Sequence, residues 1–384
     1  HLSKLHALGQ NRTAARHPHT PIPAQRRVAA GRAKESQQGR PRQPAEPLTP
    51  LQLLHCGDLL RTEPWKRARL VLLTHLTDMP SVWHLGRSAA ALRVPLVVSG
   101  LGRAWGGWKD KLLGVRRAVQ ALDALRSVEL VVFADGMDTM LLASPPLLHT
   151  AATHAASPSS LSWLLDAHHA RVLVGSECSS FPNCLREQYA RDAAHTRCRS
   201  ASFMCFPNSG LYAGRPDALL RFVGALQNVS DPDDQAAVHQ VYLQQRATGA
   251  PQAVGGPQRS PLSVSIDGSS ELFLNMHVCK RTGNRATSCQ YETGYDPLAN
   301  VHVSGEGAVS YRSPRHTATV SPWIVHANGR DKKLRFATLL TRTGLAAMNE
   351  STLISPQQQV LLVDPAASDG CKMSSTMEGS ASGF

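Results

Sequence analysis

A mainly parallel α/β sheet covered by helices on both faces is the fold this sequence predicts, and three observations carry it. Short apolar, β-prone runs recur along the chain, each too short to be a buried helix. Segments with apolar residues at helical spacing separate them. Several runs end in Asp, Asn or Gly, as strands do where they give way to turns. Strand and helix in alternation imply crossover connections, which place helices on the sheet faces.

Taken in order, Ala68 to Leu73 reads as a first buried strand ending at Thr74-His75-Leu76-Thr77. Ser81 to Leu92 follows as a helix and Pro95 to Ser99 as a second strand. A loop rich in glycine and tryptophan, Gly100 to Trp108, precedes an amphipathic helix from Lys109 to Arg126, with Leu112, Val115, Val119, Leu122 and Leu125 on one face. Leu130 to Phe133 is the central strand, ending at Ala134-Asp135-Gly136-Met137-Asp138. Helices are expected over Pro146 to Ala156 and Ser160 to His168, then a strand from Ala170 to Gly175 leading to Ser176-Glu177. Asn208 to Gly214 is a strand bracketed by glycine, and Pro216 suits the first residue of a helix to Leu226. Asp233-Asp234 opens the helix Gln235 to Gln245. Short strands are predicted at Leu262 to Ile266, Glu271 to Asn275 and, last, Ser321 to His326.

The predicted domain layout is a disordered arm and connector over 1–66, an α/β domain over 67–345 and a tail over 346–384 with one apolar run at Val360 to Val363. The formal net charge is +13. Residues 1–50 hold nine Lys or Arg against two Glu, so just over half the excess sits in a Pro-, Gln- and Ala-rich arm that cannot bury a core. Such an arm can bind nucleic acid. Without interleaved aromatics it reads as a solvated linker, and no nucleic acid partner is expected. No apolar run of about 18 residues marks a membrane span. The chain starts at His1 rather than Met, so a signal or anchor segment is expected upstream. Eight cysteines include the locally spaced pairs Cys178/Cys184, Cys198/Cys205 and Cys279/Cys289, each able to close a loop disulfide. Asn11, Asn228 and Asn349 fit the N-glycosylation pattern. Together these favour a secretory compartment, the endoplasmic reticulum or Golgi lumen.

In an open α/β sheet ligands bind beyond the carboxyl ends of strands. Asp135 and Asp138, three residues apart at such an end, can aim their oxygens at one hard cation. They can equally be ordinary turn and cap residues. His326, opening His326-Ala-Asn-Gly-Arg-Asp-Lys332, can complete the coordination, although the chain holds 17 histidines. Gly329 would let backbone approach a phosphate, with Lys332 supplying charge. Asp233 and Asp234 cap a helix or, more sharply, orient or deprotonate an acceptor hydroxyl. Asn208 and Glu177 stand at strand ends. The Gly100 to Gly107 loop lacks the Lys-Ser/Thr of a P-loop, which excludes that class of ATPase.

In this order the clusters resemble the glycosyltransferase domain of procollagen lysyl hydroxylases. They are Asp135-x-x-Asp138, Ser176-Glu177, Asn208-Ser-Gly-x-x-x-Gly, Asp233-Asp-Gln and His326-x-Asn-Gly-x-x-Lys. The similarity runs from about Arg69 to Lys333. It implies a GT-A fold, a nucleotide-diphospho-sugar transferase with a Rossmann-like sheet. It also implies Mn2+ on Asp135, Asp138 and His326, bridging the diphosphate of UDP-glucose or UDP-galactose. Asn328, Gly329 and Lys332 would face the phosphates, Thr77 and Met137 the uridine end, and Lys109 the donor. Glu177, Asn208, Asp233 and Asp234 would line the sugar and acceptor pocket, with a protein or glycoprotein as acceptor. Met137 replaces an aromatic of that family and Phe181 a tryptophan, and there is no room for its iron-dependent hydroxylase domain. A catalytically inactive binding protein of the same fold is the competing reading.

Overall fold

A computed structural model describes, with short gaps, residues 68–142, 170–247, 262–278 and 295–343, together with the strand segments 289–290, 360–363 and 371–374. In chain order the elements begin β1 (Leu70–His75), α1 (His84–Ala91), β2 (Leu96–Ser99), α2 (Trp108–Asp123), β3 (Leu130–Ala134) and β4 (Thr139–Leu141). Then come β5 (Val172–Glu177), β6 (Ser179–Ser180), α3 (Arg186–Ala190), α4 (Ala193–Ala201), β7 (Phe206–Gly214), α5 (Pro216–Gln227) and α6 (Asp234–Ala247). The remainder are β8 (Val264–Ile266), β9 (Phe273–Asn275), β10 (Cys289–Gln290), β11 (Val301–Val303), β12 (Val309–Tyr311), β13 (Ile324–His326), α7 (Lys332–Thr343), β14 (Val360–Val363) and β15 (Cys371–Ser374). The helices expected between 146 and 168, except the buried helical residue Leu165, the arm 1–66, and the paired positions Cys184 and Cys279 lie outside the described residues.

Eight strands form the main sheet in the order β15-β14-β2-β1-β3-β7-β5-β8. The run from β14 through β2 and β1 to β3 is parallel, as is β5 with β8. Against expectation β7 runs antiparallel to both β3 and β5. An apolar run carries no direction, so its sense was not readable. A second difference is at the C-terminus, where the apolar run Val360–Val363, read as part of a tail, pairs as β14 beside β2 and brings β15 with it.

Alternation along each strand divides the core. Val71, Leu73, Val131, Phe133, Val172 and Val174 face the helices α2, α5 and α6, which contribute Leu112, Val115, Val119, Leu219, Phe222 and Val238. Leu72, Val98, Val132, Leu173 and Leu211 face the other side, against Leu85 and Ala89 of α1 and against Phe273, Trp323 and Ile324. Each such fully buried side chain stabilises the fold by about 1.5–3 kcal/mol. This second face is therefore covered by more than helix. A three-stranded sheet, β4-β13-β9, lies there and packs its outer side on β11, β12 and on Phe336 and Leu339 of α7. Strands of three residues carry too little pattern to be seen in sequence, yet this small sheet fixes the site. It pairs Thr139 with His326, so the residue after Asp138 lies opposite the histidine. Among the described residues no helix is long and apolar enough to cross a membrane.

Candidate metal centre and its surroundings

The strand order 2-1-3 at the centre of the sheet means that the chain leaves β1 to one side for β2 and returns to the other for β3. The crevice between the carboxyl ends of β1 and β3 is thus a topological switch point, where open α/β sheets bind ligands. Thr77 follows β1 and Asp135 follows β3 at that edge. Because β5 runs parallel to β3, Glu177 arrives at the same edge. Because β7 runs the other way, its beginning, with Asn208, Ser209 and Gly210, arrives there too.

Asp135, Asp138 and His326 each place a ligand atom within 4.8 Å of the others, so they form a group able to hold a metal ion. His326 Nε2 lies 3.2 Å from Asp138 Oδ1 and 4.0 Å from Asp135 Oδ2. Two carboxylates and one imidazole are donors suited to a divalent cation such as Mn2+, and the fit is built into the backbone. A Cβ placed on Gly210 would lie 2.4 Å from His326 Cε1 and 2.8 Å from Asp135 Oδ2. Only a residue without a side chain lets β7 pass this close to both ligands. The turn itself is tied by Asp135 N–H to the Gly210 carbonyl at 2.9 Å and by Ala327 N–H to the Asp138 carbonyl at 2.8 Å.

Lys111, 3% exposed on α2, bridges Asp135 Oδ1 at 2.7 Å and Asp234 Oδ2 at 2.8 Å. Burial works against its charge, but the two carboxylates outweigh that and hold its pKa above the ordinary lysine value. His326 is balanced the same way. Burial lowers its pKa, and the neighbouring Asp138, Asp135 and Glu177 raise it further than burial lowers it. Asp233 caps α6, accepting the Ala236 N–H at 3.1 Å, and its pKa is raised by burial.

Glu177 is 4% exposed. Its Oε2 accepts from Asn208 Nδ2 at 3.3 Å and from Asn328 Nδ2 at 3.2 Å, and its Oε1 from Gln235 Nε2 at 2.7 Å. Burial pushes its carboxyl up to about 8, against the pull of the Asn208 amide. Gln235 Oε1 in turn accepts the Ser209 N–H at 2.6 Å.

The structure thus gathers Asp135, Asp138, His326, Glu177, Asn208, Asn328 and Asp234 into one connected cluster. Lys109 is exposed beside Trp108, Asp233 and Asp234 along a shallow pocket. Met137 stands 57% exposed just beyond the ligands. Gly329, the Lys332 side chain and Phe181 lie outside the described residues. Sequence reasoning named Lys109 and passed over Lys111, the lysine that reaches the aspartates. A signal existed: Lys111 sits four residues before Val115 on the apolar stripe of α2, where a lysine must find partners. Gln235 was quoted as the last residue of the Asp233-Asp-Gln cluster but given no role of its own, and it is the side chain that joins Glu177 to Ser209.

Two cysteine observations bear on the surroundings. Cys198 and Cys205 form a disulfide between α4 and the start of β7, and Cys178 is disulfide-bonded as well. Asn228 lies exposed at the C-terminal end of α5.

No family model matches the chain, and no curated protein does. Among solved structures, one that resembles it is a glycosyltransferase involved in the glycosylation of the major capsid of PBCV-1. The two share 12% identity over 71% of this chain and 98% of that one, with a TM-score of 0.35. The functional reading below rests on the geometry of the site instead.

Proposed function

We propose that this chain is a metal-dependent glycosyltransferase of the GT-A type. It would move a hexose, glucose or galactose, from a UDP-sugar to a hydroxyl group of a protein-linked acceptor such as hydroxylysine or its galactosyl derivative. The observation that carries the proposal is the convergence of Asp135, Asp138 and His326, from distant parts of the chain, at the switch point of the sheet. Four aspartates, Asp135, Asp138, Asp233 and Asp234, stand at this edge with the buried Lys111 among them. A diphosphate cannot approach such a surface unless a cation lies between.

Asp135, Asp138 and His326 would hold Mn2+. When bound, that ion would supply charge neutralisation on the diphosphate leaving group as the bond between sugar and phosphate breaks. Lys111 keeps Asp135 aimed through its bond to Oδ1 and opposes the upward push of burial on its carboxyl, and Asp234 keeps Lys111 in place. Asp233, half-buried at the head of α6, is the carboxylate on this edge suited to orient an acceptor hydroxyl or take its proton. Thr77, following β1, and Met137, between Asp135 and Asp138, would face the uridine, and Lys109 lines a pocket with Asp233 and Asp234. Asn328, Gly329 and Lys332 follow β13 in the sequence and would face the phosphates. The disulfides and the exposed Asn228 support a secretory setting. Glycopeptide mapping of the native protein that found Asn228 bare would count against it.

Calorimetric titration with UDP, with and without Mn2+, on the wild type and on Asp138→Ala, tests the reading. Metal-dependent binding that the substitution abolishes is the expected result. A wild type that binds UDP in neither condition would overturn it.

A further inference from the structure

We infer that Gln235 is a positioning residue: its amide stands in for a missing strand pair on β7 and thereby sets the head of α6, with Asp233, against the metal centre. This rests on the functional reading above. It gives the alignment of the acceptor carboxylate to a side chain whose own polar atoms are all taken up inside the protein.

The ladder between β5 and β7 breaks where β7 enters the site. Val174 faces Tyr212 but Ser176 faces Pro207, so Gly175 alone stands opposite 208–211. This bulge presses on β5, since a Cβ on Gly175 would lie 2.8 Å from Leu211 Cβ. It carries Asn208, which bonds Glu177 and lies against His326, and Gly210, which passes between His326 and Asp135. Buried backbone groups that face no strand need other partners, because leaving them unpaired is costly.

Gln235, 7% exposed in the first turn of α6, supplies them. Its Oε1 accepts the Ser209 N–H at 2.6 Å, and its Nε2 donates to the Pro207 carbonyl at 2.6 Å. A backbone nitrogen only donates and a carbonyl only accepts, so the amide has one orientation. In extended chain these two groups, flanking Asn208, point to the same side, and one amide closes on both as a neighbouring strand would. Nε2 also donates to Glu177 Oε1 at 2.7 Å, at the end of β5, and lies 3.1 Å from His239 Nε2. One side chain thus joins α6, β7 and β5.

The lengthwise position of the helix depends on this joint. Ala237, Val238 and Val241 hold α6 to the sheet by apolar contact, which is not directional. The amide bonds are directional, and a slide of about 1 Å would break them. Asp234, one residue before Gln235, is bound to Lys111 and through it to Asp135. Asp233, one residue further out, is capped onto Ala236 N–H. Holding Gln235 on the β7 bulge therefore holds Asp233 at a set distance from the metal ligands.

The test is sugar transfer by Gln235→Met, from UDP-glucose or UDP-galactose to a hydroxylysine peptide, bare and galactosylated. Met fills the space without the amide. A loss of kcat of about 10–100-fold is expected, the effect of a small misplacement at a reacting group, with wild-type KM for the UDP-sugar and wild-type Mn2+ affinity by calorimetry. Gln235→Glu keeps the shape and the oxygen facing Ser209, but not the donor facing Pro207. It guards against misfolding and should lose kcat in the same sense, with urea midpoints showing both variants folded under assay. Because Gln235 acts through Asp233, adding Gln235→Met to Asp233→Asn should cost nothing further. Losses that multiply in the double variant would overturn the inference. So would a fall in Mn2+ affinity as large as the fall in kcat, the mark of a general loosening. Single variants that transfer sugar like wild type would sink this inference and leave the proposed function standing. A wild type that transfers no sugar and binds no UDP with Mn2+ would sink both.

Discussion

Gly210→Ala is the most exacting test of the site's construction. The added Cβ would lie 2.4 Å from His326 Cε1, 2.8 Å from Asp135 Oδ2 and 3.0 Å from His326 Nδ1. Carbon atoms rest about 3.5–4.0 Å apart, so the ring or the strand must yield by about 1 Å. Neither is free to do so. The imidazole is held between Asn208 and Asp138, and the β7 backbone is bonded to Asp135 N–H. Overpacking of this kind typically costs about 1–3 kcal/mol, which in a domain of this size lowers the melting temperature by about 4–8 °C for a 2 kcal/mol loss. Displacing a ligand by ~1 Å should also lower Mn2+ affinity at least tenfold. Gly224→Ala is the internal control. It lies in α5 with nothing within 4 Å of its Cβ position, and should stabilise by about 0.5–1 kcal/mol through helix propensity alone. Both are read by thermal unfolding and metal calorimetry. A Gly210→Ala protein that melts and binds Mn2+ like wild type would refute the close approach of β7 to the ligands.

Lys111→Met should destabilise by about 3 kcal/mol, because it strands Asp135 and Asp234 near each other without a counter-charge; a urea midpoint within error of wild type would contradict this. The fold should weaken in mild acid. Burial lowers the pKa of His75 and His195 to about 4 and of His239 to about 3, whereas in the unfolded chain each titrates near 6.5. Between those values the unfolded chain binds more protons, so stability present above pH 6.5 is lost as pH falls toward 4, on the order of 3 kcal/mol for His75. Urea midpoints followed across that range would show it, and His75→Gln should flatten the slope. Replacing Cys198 and Cys205 by serine opens a short loop and should cost about 2 kcal/mol, read by urea unfolding, while His326, held from other elements, keeps Mn2+ affinity unchanged.

Much of the main sheet was legible because its strands are buried on both faces and therefore read as unbroken apolar runs, as Leu130–Ala134 does. Asp135 and Asp138 were visible for the same reason, standing where that run stops. His326 was visible by its place in an order of motifs, not by any local pattern. What decides its use is non-local: the pairing of Thr139 with His326, made by strands of three residues, brings two ligands together and leaves no trace in either segment. The direction of β7 was hidden, since Asn208 to Gly214 has the same side-chain pattern in either sense. Lys111 was hidden behind its more conspicuous neighbour Lys109, although its phase on α2 pointed inward. Glu177 was noticed as a carboxylate at a strand end, but the three amides that fill its oxygens come from positions 31 to 151 residues away.

One pairing near the sheet edge has a bearing on how such a protein can be altered. Glu177 at the end of β5 pairs with Phe206 at the start of β7, so the intervening residues leave and re-enter the sheet at adjacent points. The excursion holds α3 and α4, and the Cys198–Cys205 bridge closes its return limb. It is an excursion folded back onto the core. Its contents are not free of the sheet: Tyr189 is buried in the main core and bonds His239, and Asp192 accepts from Tyr242 and Arg246 of α6. Tyr189→Ala should therefore cost about 3–5 kcal/mol, read by urea unfolding, and a variant as stable as wild type would show the excursion and the sheet to be separate units.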